Sequence, residues 1–234
     1  MRRTIVFILF NVLIAYCGFA QTMTIHYKNG QNVKFNVESI DFIDFQEKSD
    51  GGTTVSEGEA VDLGLSVLWA THHVGANSCE QFGDKFAWGE TETKESFTRD
   101  NCIYYDKETM TYTDIGNDIS GTEFDAAHAK WGGKWRMPTL DEINELKKKC
   151  TWEWTRINDV NGYKVIGSNG NSIFIPITNG DVRASCWTST SIGANSGTYS
   201  HAFILVLYAH ISIGTGKTYQ ERFNGLYIRP VMSK

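Results

Sequence analysis

The most informative stretch of the sequence runs from Cys186-Trp187-Thr188-Ser189-Thr190 to Arg222-Phe223-Asn224-Gly225-Leu226-Tyr227-Ile228-Arg229-Pro230-Val231. Inside it lies the apolar run Ala202-Phe203-Ile204-Leu205-Val206-Leu207-Tyr208, which predicts a strand with Leu205 on one face and Val206 on the other. One face must be buried, and the other is either covered too, as in a central strand, or exposed as an apolar recognition patch. The remaining residues form no catalytic pattern, which is typical of a binding surface on a rigid scaffold.

The region around this stretch predicts few helices and many short strands, which indicates the α+β class. One helix is expected over Thr139–Cys150, because Thr139 and Glu142 form a capping box and lysines follow at the C-terminal end. A shorter helix is expected at Cys79–Phe82 or at Asp125–Lys130. We interpret most of the seven tryptophans as core residues. Strands are expected at Leu65–Ala70, Lys85–Trp88, Tyr163–Ile166, Ser172–Ile175, Ala202–Tyr208 and Leu226–Val231.

Residues 21–46 predict a small β-unit of their own. Met23–Lys28 and Gln31–Val37 alternate around a hairpin turn signal at Asn29-Gly30, and Ser39–Phe45 adds a third candidate strand. Because a lone hairpin is marginal in water, this unit is expected to pack on the main domain or on a partner. Residues 47–58 are polar and glycine-rich and predict a flexible linker, which leaves 59–234 as the main domain.

Residues 1–20 have the composition of a secretory signal peptide. Arg2 and Arg3 precede an apolar run that is too short to span a bilayer, and Gly18-Phe19-Ala20 offers cleavage before Gln21. A retained anchor and a lipid on Cys17 are the alternatives, and the bulky Tyr16 disfavours the lipid. The mature chain is therefore expected to be exported without a membrane span, either to the cell surface (outer membrane) or into the medium.

The charge of the chain argues against a nucleic-acid partner. The formal net charge is −5, and loss of Arg2 and Arg3 with the signal peptide makes it −7. Nucleic-acid binding needs a basic stripe that replaces counterions. The cluster Lys147-Lys148-Lys149 is expected to be an ordinary solvated helix face.

Four cysteines follow the signal peptide: Cys79, Cys102, Cys150 and Cys186. In an exported protein they allow two disulfides with three connectivities. A domain of this size also builds a core without disulfides, so free buried cysteines are the equal alternative. None has the Cys-x-x-Cys spacing of a zinc or thioredoxin-type site.

Several motifs together resemble the Fibrobacter succinogenes major paralogous domain, which is also widespread in Bacteroidetes. The resemblance covers about 59–231 and rests on Glu59–Thr71, Asn77–Glu90, Trp131–Thr139, Asn161–Val165 and Gly225–Val231. It implies a C-type-lectin-like fold of the formylglycine-generating-enzyme type in an exported, surface-associated protein of unknown ligand. The β-unit at 23–45 similarly resembles the N-terminal segment of Bacteroidetes surface proteins.

The C-terminal stretch has a second resemblance, to the C-type-lectin-like variable proteins of diversity-generating retroelements. These share a Trp-Ser-Ser-like start, a tolerant middle and a Gly-x-x-Val-Arg-Pro-Val-like end. Here Thr188 replaces a serine and Ile228 a valine. The alternative is an ordinary sheet with variable loops. Alignment to this pattern places the candidate ligand-binding positions at Ile192, Ala194, Thr198, Ser200, His201, Phe203, Ile204, Val206, Tyr208, His210, Ser212, Tyr219, Gln220, Glu221 and Phe223.

Catalytic and metal sites are not predicted. The Glu-Pro-Asn or Gln-Pro-Asp triplet of calcium-dependent lectins is missing, and Asn158–Gly162 is expected to be a hairpin turn with its signal at Asn161-Gly162 rather than a calcium loop. His72 and His73 are neighbours on an extended segment and are expected to point apart. Cys186 is expected to be a packing residue, although it is the one candidate for formylglycine-type cysteine chemistry.

The sequence thus predicts a non-enzymatic binding protein without cofactor, whose partner is an unknown protein or glycan at the cell surface. A formylglycine-generating-enzyme-like oxidoreductase and a pilus or adhesin structural subunit are the alternatives. The oligomeric state is left open.

Overall fold

The computed structural model describes residues 22–26, 32–36, 57–177, 183–192, 200–209, 212–213 and 218–234. The chain separates into two compact units, Met1–Gly52 and Thr53–Lys234. In the first unit, β1 (Thr22–His26) and β2 (Asn32–Asn36) pair antiparallel, with Thr22 opposite Asn36. This confirms the two predicted hairpin strands. The predicted signal peptide, the predicted hairpin turn and the third candidate strand lie outside the described residues.

The second unit is rich in short strands and has few helices, as an α+β chain should. Its helices are α1 (Ala126–Trp131) and α2 (Leu140–Lys149). Neither helix in the described part of the chain has the length and hydropathy that crossing a bilayer needs. The strands are β3 (Ala60–Asp62), β4 (Val67–Ala70), β5 (Tyr105–Asp106), β6 (Thr111–Tyr112), β7 (Trp135–Arg136), β8 (Thr151–Ile157), β9 (Val160–Ile166), β10 (Ser172–Pro176), β11 (Arg183–Ser191), β12 (His201–Tyr208), β13 (Ser212–Ile213), β14 (Thr218–Glu221) and β15 (Val231–Ser233).

Three larger sheets organise this unit. One has the order β3-β4-β15-β7, so the last strand of the chain pairs beside one of the first. A second has the order β10-β9-β8. In the third, β12 lies between β11 on one side and β13 and β14 on the other. The hairpin of β5 and β6 stands apart from these sheets.

Strand β12 separates two hydrophobic cores. Leu205 and Leu207 belong to a first core with Trp69 and Cys186, whereas Ile204 and Val206 belong to a second core with Trp187. The cross-strand pairs Cys186–Leu205 and Trp187–Ile204 place these residues on opposite faces of the sheet. Both faces of this part of β12 are therefore covered, and the run is a central strand rather than an apolar patch.

The tryptophans confirm the core interpretation for the most part. Five are buried: Trp69, Trp88, Trp131, Trp135 and Trp187. Trp152 and Trp154 are partly buried and pack against the first core.

Both helices confirm sequence predictions. Thr139 and Glu142 make the two bonds of a capping box at α2, and Ile143 and Leu146 of that helix are buried. Helix α1 matches the prediction at Asp125–Lys130, with Asp125 as N-cap, whereas Cys79–Phe82 is not helical.

Three local predictions are wrong. Leu226–Val231 is not a strand, because only Val231 enters β15, and Leu226 and Tyr227 make isolated bridges to Phe86 and Cys186. Lys85–Trp88 contributes only that bridge at Phe86. The β8–β9 turn falls at Asn158 and Asp159, whose φ angles are 44° and 66°, and not at Asn161-Gly162. Gly162 lies in β9, where a Cβ would stand 2.4 Å from the Ile175 carbonyl oxygen, so glycine is needed there because it has no side chain.

Candidate functional site

The two ends of the C-terminal stretch are built into the interior. Trp187 is 0% exposed, and its Nε1 donates to the Phe86 carbonyl oxygen at 2.7 Å. At the other end, Arg222 is buried with its guanidinium 4.6 Å from the Trp88 ring centroid and 5.1 Å from that of Tyr112. Burial lowers the pKa of Arg222 to about 10, so it stays charged at neutral pH. These ends therefore hold the scaffold rather than a ligand.

Between Trp187 and Ser191 the register of β11 against β12 shifts, as at a β-bulge, before Ser191 pairs with Ala202. The Ser189 amide donates to the Pro138 carbonyl oxygen, and the Ser189 carbonyl oxygen accepts from the Ile119 amide. Thr190 Oγ1 accepts from the Leu140 amide at 3.1 Å, at the first turn of α2. The Trp-Thr-Ser-Thr start thus connects the sheet with helix α2.

The outer half of the β12–β14 pair carries a surface of a different kind. His201 lies opposite Glu221, and Phe203 opposite Tyr219, so all four side chains share one face. The His201 and Tyr219 rings meet edge to face with centroids 5.3 Å apart, and Tyr219 is 55% exposed. His201 Nδ1 also lies 2.7 Å from Ser200 Oγ.

Arg99 completes this surface from outside the C-terminal stretch. It follows Thr98, which caps the short 3-10 helix Arg99–Asn101, and its guanidinium forms an ion pair with Glu221. The same guanidinium lies 5.7 Å from the Tyr105 ring centroid and 5.6 Å from that of Phe223. We call this set the Arg99 face; it consists of Arg99, Tyr105, His201, Phe203, Tyr219, Glu221 and Phe223.

The Arg99 face unites five of the predicted ligand-binding residues: His201, Phe203, Tyr219, Glu221 and Phe223. Sequence reasoning missed Arg99 and Tyr105, which precede the C-terminal residues of this face by 96 to 124 positions and carry no motif.

Other predicted positions do not join this face. The ligand-binding prediction is wrong for Ile204 and Val206, because they are 7% and 2% exposed in the second core and cannot reach a ligand. Gln220 pairs with Ala202 on the opposite face of β14, and Tyr208 packs against the second core. Ile192 is half-buried beyond the end of β11. Ser200 contacts His201 at the edge of the face. Ala194, Thr198 and His210 lie outside the described residues, and only the backbone of Ser212, in β13, is described.

A cleft of about 440 Å³ lies beside the segment that leads to Arg99. At the wall of the cleft the backbone of Gly225 packs closely against the ring of Phe97, and a Cβ on Gly225 would stand only 2.3 Å from Phe97 Cδ2. Lys94 Nζ forms an ion pair with Glu90 Oε2 at 2.5 Å, and Lys85 Nζ lies 5.2 Å from the Tyr227 ring centroid. The lining residues are Gly83, Asp84, Lys85, Thr93, Lys94, Glu95, Phe97 and Tyr227.

The one candidate nucleophile is buried. Cys186 is 1% exposed, its Sγ lies 3.5 Å from His73 Nε2, and burial raises the pKa of its thiol to about 12. Burial and the nearby Arg229 cation hold the pKa of His73 well below its usual value. The pair is therefore a neutral thiol beside a neutral imidazole, which is the opposite of an activated thiolate.

The two adjacent histidines point apart, as the sequence predicts. His72 packs edge to face on Trp131 at 5.4 Å, whereas His73 stacks on Tyr227 at 5.5 Å. Within the described ranges, no group of three or more His, Cys, Asp or Glu side chains is placed to hold a metal ion. All four cysteines from Cys79 onward are free thiols in the structure.

The buried histidines predict a loss of stability in acid. Burial lowers the pKa of His73 and His72 in the folded protein below the usual 6.5, so the unfolded chain binds protons first as the pH falls. The contribution of the neutral histidines to the free energy of unfolding should be complete above about pH 6.5. As the pH falls below that value, the free energy of unfolding should decrease by at most about 1.4 kcal/mol per pH unit for each histidine. Urea denaturation at a series of pH values measures this slope.

The substitution His73→Phe keeps a ring against Tyr227 and should make the pH slope shallower. Trp154→Phe replaces a partly buried ring that does not titrate, so it is the matched control and should leave the slope unchanged. A slope that is the same in His73→Phe and in the wild type would exclude His73 as its source.

Comparison of the chain with protein-family models, with curated proteins and with solved structures gives no match.

Proposed function

We propose that this chain is an exported, surface-associated, non-enzymatic binding protein that recognises a protein or glycan through the Arg99 face. The observation that carries the proposal is the contrast within one stretch of sequence. Trp187, Arg222 and Arg229 at its ends are buried, whereas Tyr219 between them is 55% exposed, and the side chain of Arg99, which pairs with Glu221 of the same stretch, is 47% exposed. Aromatic and arginine side chains on a rigid support are what recognition surfaces use, because they bring large contact area at low cost in conformational entropy.

The sequence resemblances extend this proposal. We assign the main domain to the C-type-lectin-like fold of the formylglycine-generating-enzyme type and to the Fibrobacter succinogenes major paralogous domain. We further propose that the C-terminal stretch is diversified by a retroelement. A reverse transcriptase gene and an adenine-rich near-copy of the 186–231 coding segment in the neighbouring DNA are the expected finding. Their absence would leave a binding module that is not diversified.

The binding proposal predicts a large effect of Tyr219→Ala. Binders are first selected on the full chain from a glycan array and from a phage-displayed library of random peptides. Tyr219 is the most exposed ring of the Arg99 face, so its truncation should weaken the selected binders about tenfold or more, as at other interface hot spots. Surface plasmon resonance measures the affinities.

Ile157→Ala is the matched control, because it truncates a partly buried apolar side chain in β8, which contributes nothing to the Arg99 face. Equal affinities for Tyr219→Ala and the wild type would place the binding site elsewhere and remove the main support for the proposal.

The alternative oxidoreductase predicts a reactive Cys186, whereas we expect an inert one. Its side chain is buried and its thiol pKa is raised to about 12. Iodoacetamide should therefore label Cys79 and Cys150, which are half-buried, well before Cys186 in the native protein. Peptide mapping by mass spectrometry measures the order, and early labelling of Cys186 would favour the enzyme.

The other alternative, a pilus or adhesin structural subunit, needs the N-terminal β-unit to pair with a partner strand. Deletion of residues 21–46 tests it, because assembly that survives the deletion excludes this role.

A further inference from the structure

We propose that the Arg99 face docks a protein whose contact surface is apolar at its centre and basic at its rim. This inference rests on the proposed function and names the partner's chemistry. Two features of residues 95–114, which lie outside the C-terminal stretch, support a partner of this kind.

The first feature is exposed apolar surface next to the Arg99 face. Among the described residues, the large hydrophobic side chains that are most exposed are Ile103 at 68%, Met110 at 76% and Tyr219 at 55%. Ile103 precedes the β5–β6 hairpin that supplies Tyr105, and Met110 lies in the connection between its two strands. Met110 holds a left-handed backbone at φ 55°, which fixes the hairpin tip. Protein interfaces are enriched in Tyr, Phe, Met and Arg at their centres, and these are the residue types gathered here.

The second feature is unbalanced negative charge. Arg99 is neutralised by Glu221, so Lys107 is the one basic side chain between residues 95 and 114 that lacks a described ion pair. The exposed acidic side chains of the same segment are Glu95, Asp100, Asp106, Glu108 and Asp114. A surface with this balance attracts a basic partner and accelerates its association.

The same charge disfavours the other occupants. Two copies of this chain that met face to face would bring acidic segment against acidic segment, because an isologous contact pairs each patch with itself. Anionic lipid and nucleic acid are repelled for the same reason. A neutral glycan would gain nothing from the acidic rim. A basic protein surface uses both the apolar residues and the charge.

The test uses peptides selected from a phage-displayed random library on the immobilised full chain. The selected peptides should be enriched in Lys and Arg around an aromatic or aliphatic residue. The triple variant Glu95→Gln, Asp100→Asn, Glu108→Gln should lower their association rate about tenfold and flatten its dependence on salt. The control variant Glu59→Gln, Asp141→Asn, Glu153→Gln removes equal charge from exposed positions in β3, α2 and β8 or beside them, and should change neither.

Selected peptides without basic enrichment, equal rates for the two triple variants, or binders found on a glycan array alone would each overturn the inference. A loss of binding in Tyr219→Ala together with an unchanged association rate in the acidic triple variant would contradict only the inference that the partner is basic. Unchanged binding in Tyr219→Ala would instead remove the proposed function itself.

Discussion

Replacing Trp187 with alanine is expected to lower the free energy of unfolding by about 3–5 kcal/mol. Trp187 is 0% exposed and lies in the second core opposite Ile204. Truncation leaves a large cavity between β12 and the segment around Phe86, and it also removes the donor of the 2.7 Å bond to the Phe86 carbonyl oxygen. Chemical denaturation followed by circular dichroism measures the change.

Two variants separate these contributions. Trp187→Phe keeps most of the apolar volume and removes the hydrogen bond, so it should cost about 1–3 kcal/mol. Trp152→Ala truncates a partly buried tryptophan and should cost less than Trp187→Ala. If Trp187→Ala and Trp152→Ala cost the same, Trp187 is not the packing centre that its burial indicates.

Replacing Asp125 with alanine is expected to destabilise the fold by about 2–4 kcal/mol, because each buried N–H donor left without its acceptor costs about 1–3 kcal/mol. Asp125 is 0% exposed, and its carboxylate accepts four backbone N–H bonds, from Gly121, Ala127, His128 and Met137. It therefore caps α1 and ties that helix to the chain before α2. Alanine leaves these donors without their acceptor, and the two most buried of them lose it where water cannot replace it.

Asp106→Ala is the matched control for this prediction. Its carboxylate also accepts two backbone N–H bonds, from Glu108 and Thr109, but it lies in an exposed turn where water replaces the lost acceptor. A cost of about 0.5–1 kcal/mol is expected there. Thermal and urea denaturation of both variants give the comparison. Similar losses for the two variants would show that burial of the Asp125 acceptor contributes little.

Elements with a local signal are predicted well by the sequence. The capping box at Thr139 and the apolar run of β12 each carry a signal contained within about ten residues. Segments stabilised by distant partners are predicted poorly. Leu226–Val231 has the composition of a strand, yet Leu226 and Tyr227 make only single bridges, to Phe86 and Cys186, and only Val231 enters β15. Its conformation depends on those neighbours and not on its own pattern.

The candidate site divides in the same way. The pattern of the C-terminal stretch predicts His201, Phe203, Tyr219, Glu221 and Phe223, which the structure brings together. The pattern could not distinguish them from Ile204 and Val206, because alternation along a strand does not say whether the second face is covered. Arg99 pairs with Glu221 across 122 positions of sequence, and no local signal marks such a contact.

Short-range rules in the sequence predict most of the strands and helices and locate the stretch that carries most of the surface residues. Which of those residues are accessible, and which distant chain segment completes their surface, depends on tertiary packing. Periodicity and capping are local properties of the chain, whereas burial depends on what packs against each face. In this chain that difference places Trp187 and Val206 inside and Tyr219 outside.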